Sequence, residues 1–306
     1  MLTIIKTSRS GLFVGLLVGL VFLTACEQPQ DVSQKAAFET SWGKQVALIA
    51  AGEDSAARGD AIIKRLEALG LTVETRPFES EDYSGENIVA YVSGPANAPL
   101  ILIGAHYDKV SVGAGATDNA SGSAAVLELA KAFKITPLEN YRVAVVFWDH
   151  EEVGLLGSKA WIAKGQEKPA LYINFDVFGW GDTVWMMSPD NTTPLATSLA
   201  SAVEVTAKRA GLNASIGKHY PPTDHRAFLA ADWPAVSFSL VGGDEITKIL
   251  AMYSGEEVKE PPKVMRVIHS ASDQPDQVKE KEVVKAIPVI ETAIRQMAAA
   301  PSLPPT

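Results

Sequence analysis

The sequence predicts an α/β fold, a three-layer α/β/α sandwich around a central, mostly parallel mixed sheet. The chain has 306 residues and is 47% hydrophobic and 21% charged, a composition typical of globular domains. Short apolar runs, such as residues 100–105 and 143–148, alternate with segments of helical periodicity. Strands that are apolar on both faces indicate a sheet that helices cover on both sides.

The individual elements follow from this periodicity in chain order. Helices are predicted over residues 34–50, 55–69, 121–133, 155–164, 193–210 and 279–297. Strands are predicted over residues 71–76, 87–92, 100–105, 142–148, 171–175, 183–187 and 235–240. Residues 242–263 are the least regular stretch and suggest a long loop near a functional site. Residues 264–268 form a short apolar run that is compatible with a further strand.

The N-terminus has the pattern of a secretory signal peptide. Lys6 and Arg9 precede an apolar run from Gly11 to Leu23, which is too short for a comfortable membrane span. The run ends in Leu-Thr-Ala-Cys, which resembles the lipobox of bacterial lipoproteins, whose cysteine is lipidated. We therefore expect Cys26 to carry a lipid anchor. A plain signal peptide with an incidental cysteine is the alternative.

These patterns divide the chain into four parts. We expect a signal peptide over residues 1–25, a polar tether over 26–33, one domain over 34–298 and a disordered tail over 299–306. The expected location is outside the cytoplasm, anchored to a bacterial membrane and facing the periplasm or the cell exterior. The net charge of −9 disfavours nucleic acid as a partner. Because Cys26 is the only cysteine, the body has neither a disulfide nor a thiol nucleophile.

Residues of the types that bind metal follow several predicted strands. They are His106 and Asp108, Glu151 and Glu152, and Asp176, while a glycine-rich loop precedes Asp118 and a short apolar run precedes His269. Ligands gather at the carboxyl ends of strands in open α/β sheets. Adjacent carboxylates repel each other unless positive charge offsets the repulsion, and bound dications supply that charge. Imidazole and carboxylate ligands together suit zinc, with cobalt or manganese as alternatives.

Each of these residues also has a structural interpretation when it is taken alone. Asp118 could be the N-cap of the helix near Ser121, and Asp176 could be a turn residue. His106 could be a hydrogen-bonded histidine at a strand end, and the Glu151–Glu152 pair could lie in a solvated loop. The combination at several strand ends favours the metal site over these separate explanations.

In their order and spacing, these residues resemble metallopeptidase family twenty-eight, the di-zinc aminopeptidases. The motifs that carry the resemblance span residues 104–108, 115–122, 151–158, 174–176, 223–228 and 268–270, with Asp273. The resemblance implies two zinc ions per chain and peptides as substrates. It assigns His106 and Asp176 to one zinc, Glu152 and His269 to the other, and Asp118 to both.

The resemblance also implies further roles. Glu151 is expected to be the general base, and Asp108 to orient His106. The peptide bond after Asp118 is expected to be cis. Asp224 and His225 are expected to face the substrate.

The chain departs from the family pattern at two positions. Ile268 stands where some members have a tyrosine that stabilises the oxyanion, so Tyr220, Tyr253 or the second metal could supply that role. Thr223 stands where some members have an arginine, which leaves the substrate preference open.

Two other functions compete with an exported aminopeptidase. The first is an acyltransferase resembling glutaminyl cyclase, which binds one zinc through counterparts of Asp118, Glu152 and His269. The second is a non-catalytic binding module, although such relatives normally lose metal ligands that this sequence retains.

Overall fold

The computed structural model describes residues 40–80, 82–189 and 193–300. The predicted signal peptide, Cys26 and the tether lie outside these residues, as does most of the predicted tail. The described residues belong to one compact unit. Within them, no helix combines the length and the apolar character that a membrane span requires.

Eight α-helices and eight strands are present in the described part of the chain. The helices are α1 (Ser41–Ala50), α2 (Ser55–Ala68), α3 (Ser121–Ile135), α4 (Leu156–Ala163), α5 (Pro194–Arg209), α6 (His225–Ala230), α7 (Ile246–Tyr253) and α8 (Glu280–Ala299). The strands are β1 (Val73–Ser80), β2 (Tyr83–Ser93), β3 (Leu100–His106), β4 (Arg142–Trp148), β5 (Leu171–Phe178), β6 (Thr183–Met187), β7 (Asn213–Gly217) and β8 (Ala235–Val241).

All eight strands form one mixed sheet with the order β1-β2-β4-β3-β5-β8-β6-β7. Its centre is parallel, because β4, β3, β5 and β8 run in the same direction. The antiparallel pairs β1–β2, β2–β4 and β6–β8 lie toward the two sides. This arrangement confirms the predicted mostly parallel mixed sheet.

Helices cover both faces of the sheet. Along β3 the side chains alternate, so that Ile101 and Ile103 join one apolar cluster while Leu100 and Leu102 join another. The larger cluster includes residues of α1, α2, α3, α5 and α8, and the smaller one includes residues of α4 and α6. The central strands are buried on both faces, which explains why they are continuous apolar runs in the sequence.

The region after β8 differs from the prediction. Residues 242–263, predicted as a long loop, contain α7, whose Ile246 and Ile249 are buried. Residues 264–268 do not form a strand, because Val264–Arg266 is a turn of 3₁₀-helix. A short apolar run fits a buried strand or one face of a short helix equally well, so the prediction of a strand here was wrong.

Two further elements were missed. Strand β7 is a short edge strand with mostly exposed residues, and Ala and Ile are the two apolar residues of its sequence Asn-Ala-Ser-Ile-Gly, which is too short for a clear alternation. Helix α6 has only six residues, which is too short for a clear periodic signal. Neither omission affects the central strands that lead into the candidate site.

Candidate metal-dependent active site

The candidate site lies where three neighbouring parallel strands end. Strand β3 pairs with β4 on one side and with β5 on the other, and His106 lies opposite Trp148. The segments that follow β3 and β4 therefore leave the sheet side by side. The structure brings the predicted residues of these segments together at one edge of the sheet.

Asp108 connects the ends of β3 and β4. Its Oδ1 lies 3.2 Å from Nδ1 of His106, whose side chain is 1% exposed. The same carboxylate accepts hydrogen bonds from the backbone N–H groups of Glu151 and Glu152, at 3.1 Å each. When the His106 ring donates Nδ1–H to Asp108, its Nε2 presents a lone pair to the site. These contacts are those that an orienting role of Asp108 requires, and the role itself stays a prediction.

Asp118 lies between the two histidines. Its Oδ1 is 3.1 Å from Nε2 of His106, and its Oδ2 is 3.2 Å from Nε2 of His269. Each oxygen thus faces a different imidazole. No side chain caps α3, so Asp118 is not the N-cap of that helix. The peptide bond between Asp118 and Asn119 is cis, as the resemblance implies.

The remaining two carboxylates lie on opposite sides of Asp118. Oδ1 of Asp176 is 3.4 Å from Nε2 of His106, whereas Oε2 of Glu152 is 3.0 Å from Nε2 of His269. Asp176 belongs to an irregularity of β5, where the register with β8 shifts between Phe175 and Phe178. A bulge of this kind re-aims a side chain, and here the Asp176 carboxylate is directed to the sheet edge.

Several carboxylate oxygens of the site have no donor. Oδ1 of Asp118, Oε1 of Glu152 and Oδ1 of Asp176 are buried, and no hydrogen bond of good geometry reaches them from the described residues. Buried polar atoms are normally satisfied. Ligand atoms of His106, Asp118 and Glu152 lie within 4.8 Å of one another, as do those of His106, Glu151 and Asp176. Closely spaced oxygens without donors fit the binding of divalent cations.

The charge of the cluster acts on Glu151. Burial raises the pKa of Glu151 to about 10, and the carboxylates of Asp176 and Asp224 act in the same direction. A pKa raised in this way favours the protonated form, whereas a nearby dication favours the ionised form, so positive charge added to the cluster lowers the pKa of Glu151.

The two histidines respond to the same excess of negative charge. Contacts with Asp118 and Glu152 raise the pKa of His269 to about 10. Burial alone lowers the pKa of His106, but the surrounding carboxylates, with Glu151 first, outweigh burial and raise it. The cluster therefore attracts positive charge, which protons or metal ions can provide.

A pocket of about 90 Å³ opens at the cluster, and Asp118, Glu151, Glu152, Asp176 and His269 line one side of it. Its apolar wall consists of Val177, Trp185, Val241, Ile249, Val264, Met265 and Ile268. Tyr220 and Tyr253 also line it, but the Tyr220 hydroxyl is bonded to Ser239 Oγ, whereas the Tyr253 side chain is half exposed. Helix α7 supplies Ile249 and Tyr253, so the region predicted to lie near the site does line it.

Asp224 and His225 do not line this pocket. Asp224 is fully buried and His225 is 4% exposed, and the His225 ring packs edge-on against Tyr220. Burial raises the pKa of Asp224 to about 7. These two residues lie behind the pocket wall, so a direct substrate contact remains a prediction that their burial disfavours.

Asp273 has a structural role that the sequence motif did not specify. Its carboxylate accepts the backbone N–H of Thr117 at 2.7 Å and that of Asp118 at 3.1 Å. Because Asp273 lies four residues after His269, it ties the two segments that carry Asp118 and His269. The motif that includes Asp273 indicated that this residue could matter. The spacing of the motif could not predict its contacts with backbone groups.

Comparison with known proteins assigns most of the chain to one family. The model of peptidase family M28 matches residues 87–293, about two thirds of the chain. The chain is 35% identical over 141 residues to leupeptin-inactivating enzyme 1 of Streptomyces exfoliatus, covering 44% of this chain and 32% of that protein. It is 36% identical over 111 residues to the probable lipoprotein aminopeptidase LpqL of Mycobacterium tuberculosis, covering 35% of this chain and 21% of LpqL. The chain thus matches a third or less of the length of these relatives.

Solved structures share the fold. A zinc aminopeptidase from Bacillus subtilis superposes with a TM-score of 0.56 at 23% identity, covering 70% of this chain and 50% of that one. Glutaminyl cyclase from Porphyromonas gingivalis superposes with a TM-score of 0.66 at 21% identity, covering 84% of this chain and 96% of that one. At these identities the likeness extends to the fold alone.

Proposed function

The chain belongs to peptidase family M28, and we propose that it is an exported zinc aminopeptidase that removes N-terminal residues from peptides. One observation carries the proposal: the two carboxylate oxygens of Asp118 face two different imidazoles, at 3.1 and 3.2 Å. A carboxylate placed in this way can bridge two cations. Two-metal sites of this kind occur in aminopeptidases.

The proposed ligand sets follow the contacts. His106 and Asp176 would hold one zinc, Glu152 and His269 would hold the other, and Asp118 would contribute a carboxylate oxygen to each. The donor set supports this assignment, because zinc accepts imidazole nitrogen and carboxylate oxygen together. The buried oxygens of Asp118, Glu152 and Asp176 that lack hydrogen-bond donors also support it.

In the proposed reaction, Glu151 moves the proton. Zinc bound by these residues would polarise the scissile carbonyl and make the attacking water more acidic. Glu151 takes the proton from that water as the new carbon–oxygen bond forms, and gives it to the leaving amine nitrogen as the carbon–nitrogen bond breaks. Asp108 holds the Glu151 and Glu152 backbone in place during both steps.

The pocket supports an exopeptidase that prefers apolar N-terminal residues. A free α-ammonium group fits beside the carboxylate cluster, and an apolar side chain fits the wall formed by Trp185, Ile249 and Ile268. Transfer of such a side chain from water is favourable, at about 0.8 kcal/mol per buried methylene. We therefore expect leucyl and similar substrates to be cleaved faster than charged ones.

The test is an assay with aminoacyl substrates that release a chromogenic amine. The zinc-loaded enzyme should cleave apolar aminoacyl substrates, lose activity with a chelator and regain it with zinc. N-terminally acetylated substrates serve as the matched control and should remain intact. Cyclisation of N-terminal glutamine with one zinc per chain would instead identify a glutaminyl cyclase-like enzyme.

Export and lipidation are a separate part of the proposal. The Leu-Thr-Ala-Cys segment that ends at Cys26 supports them, and one relative is described as a probable lipoprotein aminopeptidase. Expression in a bacterial host with labelled palmitate should label the wild-type chain and not Cys26→Ala. Equal labelling of both chains would contradict the assignment of Cys26.

A further inference from the structure

Arg58 is a buried cation beneath the candidate site. It belongs to α2, which precedes the segment that the family model matches, and its side chain is 0% exposed. Its guanidinium donates to three backbone carbonyls, through Nε to Tyr107, through Nη1 to Ala114 at 2.9 Å and through Nη2 to Gly115 at 3.1 Å. A planar guanidinium suits this arrangement, because its donors have a fixed fork geometry.

These three carbonyls lie at the two ends of one loop. The loop runs from the end of β3, where His106 lies, through Asp108 to the turn that carries Asp118. By bonding Tyr107 at one end and Gly115 at the other, Arg58 fixes the separation of the loop ends. The separation of His106 from Asp118 depends on that distance.

Asp273 holds the same loop from another direction. Its backbone carbonyl accepts the N–H of Ala114 at 2.8 Å, and its carboxylate accepts the N–H of Thr117 and of Asp118. The loop is thus anchored by Arg58 on α2 and by Asp273 next to His269. At the end that follows β3, the Tyr107 N–H also donates to the carbonyl of Trp148 at 2.9 Å, and the Tyr107 hydroxyl donates to the carbonyl of Glu86 at 2.7 Å. Arg58 contacts both ends of the loop.

Arg58 has no ion-pair partner within 4 Å among the described residues, which is unusual for a buried charge. Burial lowers the pKa of Arg58 to about 10, while the carboxylates of Asp108, Asp273 and Asp118 act against this. The guanidinium thus adds positive charge near the acidic cluster without occupying a ligand position. An apolar residue at position 58 would leave the carbonyls of Tyr107 and Ala114 without donors, whereas the carbonyl of Gly115 also accepts the N–H of Ala120 at 3.0 Å.

We propose that Arg58 is a positioning residue that presets His106 and Asp118 for cation binding by clamping the two ends of the loop between them. This inference rests on the metal site of the proposed function. It adds a residue of α2 to those that support the site. It predicts that this residue affects zinc affinity and not the chemical step.

The test measures the zinc dissociation constant of folded protein by competition with a chromogenic chelator. Arg58→Lys keeps the charge but loses the fork, so the dissociation constant should rise by about 10- to 100-fold, the range for residues that support metal ligands. Arg65→Met on the same helix is the matched control, because Arg65 makes no hydrogen bond to the loop, and its zinc affinity should equal that of the wild type. Circular dichroism and thermal unfolding of each zinc-free variant report on folding separately.

A second variant covers the case in which Arg58→Lys does not fold. Arg58→Ala leaves space for guanidinium ion, and millimolar guanidinium should restore zinc affinity in this variant while leaving the wild type unchanged. Wild-type zinc affinity in folded Arg58→Lys, or no response of Arg58→Ala to guanidinium, would overturn the inference. Failure of the wild type to bind zinc would instead overturn the proposed function.

Discussion

The two histidines of the candidate site differ in their surroundings. His106 ends a buried parallel strand, its side chain is 1% exposed, and Asp108 fixes its ring through Nδ1. His269 follows a 3₁₀ turn, its side chain is 53% exposed, and its backbone has a positive φ of 55°. No described residue bonds its Nδ1. The His106 half of the site is therefore held by the sheet, and the His269 half is held mainly by its contacts with Asp118 and Glu152.

This difference predicts that the two halves of the site bind cations with different affinities. A preorganised ligand set loses little conformational freedom when it binds, whereas a set on an exposed loop must first be ordered. We expect the cation of the His106 half to bind more tightly. Both halves border the pocket, because Asp176 and His269 are among the residues that line it.

The largest expected effect on activity is that of Glu151→Gln. Glu151 belongs to neither half of the site. The substitution replaces the carboxylate by an amide, which cannot act as a base, so kcat should fall by about 10²- to 10⁴-fold. Zinc content should remain that of the wild type, measured by elemental analysis of dialysed protein. Glu204→Gln, on an exposed position of α5, should keep full activity. Unchanged kcat in Glu151→Gln would rule out the proposed base.

The next largest effects are expected for His106→Asn and His269→Asn. These two variants test the difference between the His106 half and the His269 half directly. His106→Asn should lower kcat/KM by about 10²- to 10³-fold and remove the tightly bound zinc. His269→Asn should retain one tightly bound zinc per chain and lose only the weaker one. Isothermal titration with zinc measures both affinities. If both variants lost the tightly bound zinc equally, the expected difference in affinity between the His106 half and the His269 half would be contradicted.

A smaller effect is expected for Asp108→Asn. The amide still fits between β3 and β4 but binds His106 and the two backbone N–H groups less strongly. Zinc affinity of the His106 half should fall by about 10- to 100-fold, with little change at the His269 half. Titration with zinc distinguishes the two affinities, and an equal decrease in both would show that Asp108 supports the whole cluster.

The sequence predicted the centre of the fold well because burial on both faces imposes a strong pattern. Strands 142–148 and 183–187 have the predicted bounds, since apolar runs with defined ends leave little ambiguity. Strand β7 was missed because an exposed edge strand needs no apolar residues. Helix α7 was missed because its eight residues lie in a stretch interrupted by glycine and proline.

The clustering of the candidate ligands could also be predicted, because His106 ends a buried strand, Glu152 follows one, Asp176 lies near the end of one and a glycine-rich loop precedes Asp118. Two features of the site could not be predicted from the sequence. The role of Arg58 depends on backbone carbonyls that are distant in sequence, and no residue pattern records such contacts. The burial of Asp224 was equally hidden, because it depends on how α6 packs against β5 and β8.

The most direct test of the bridging role of Asp118 is a crystal structure of the zinc-loaded protein with anomalous diffraction at the zinc edge. Two anomalous peaks about 3.5–4 Å apart are expected, one on each side of the Asp118 carboxylate. His106 and Asp176 should contact one peak, and Glu152 and His269 the other. A single peak bound by Asp118, Glu152 and His269 would contradict the two-cation site.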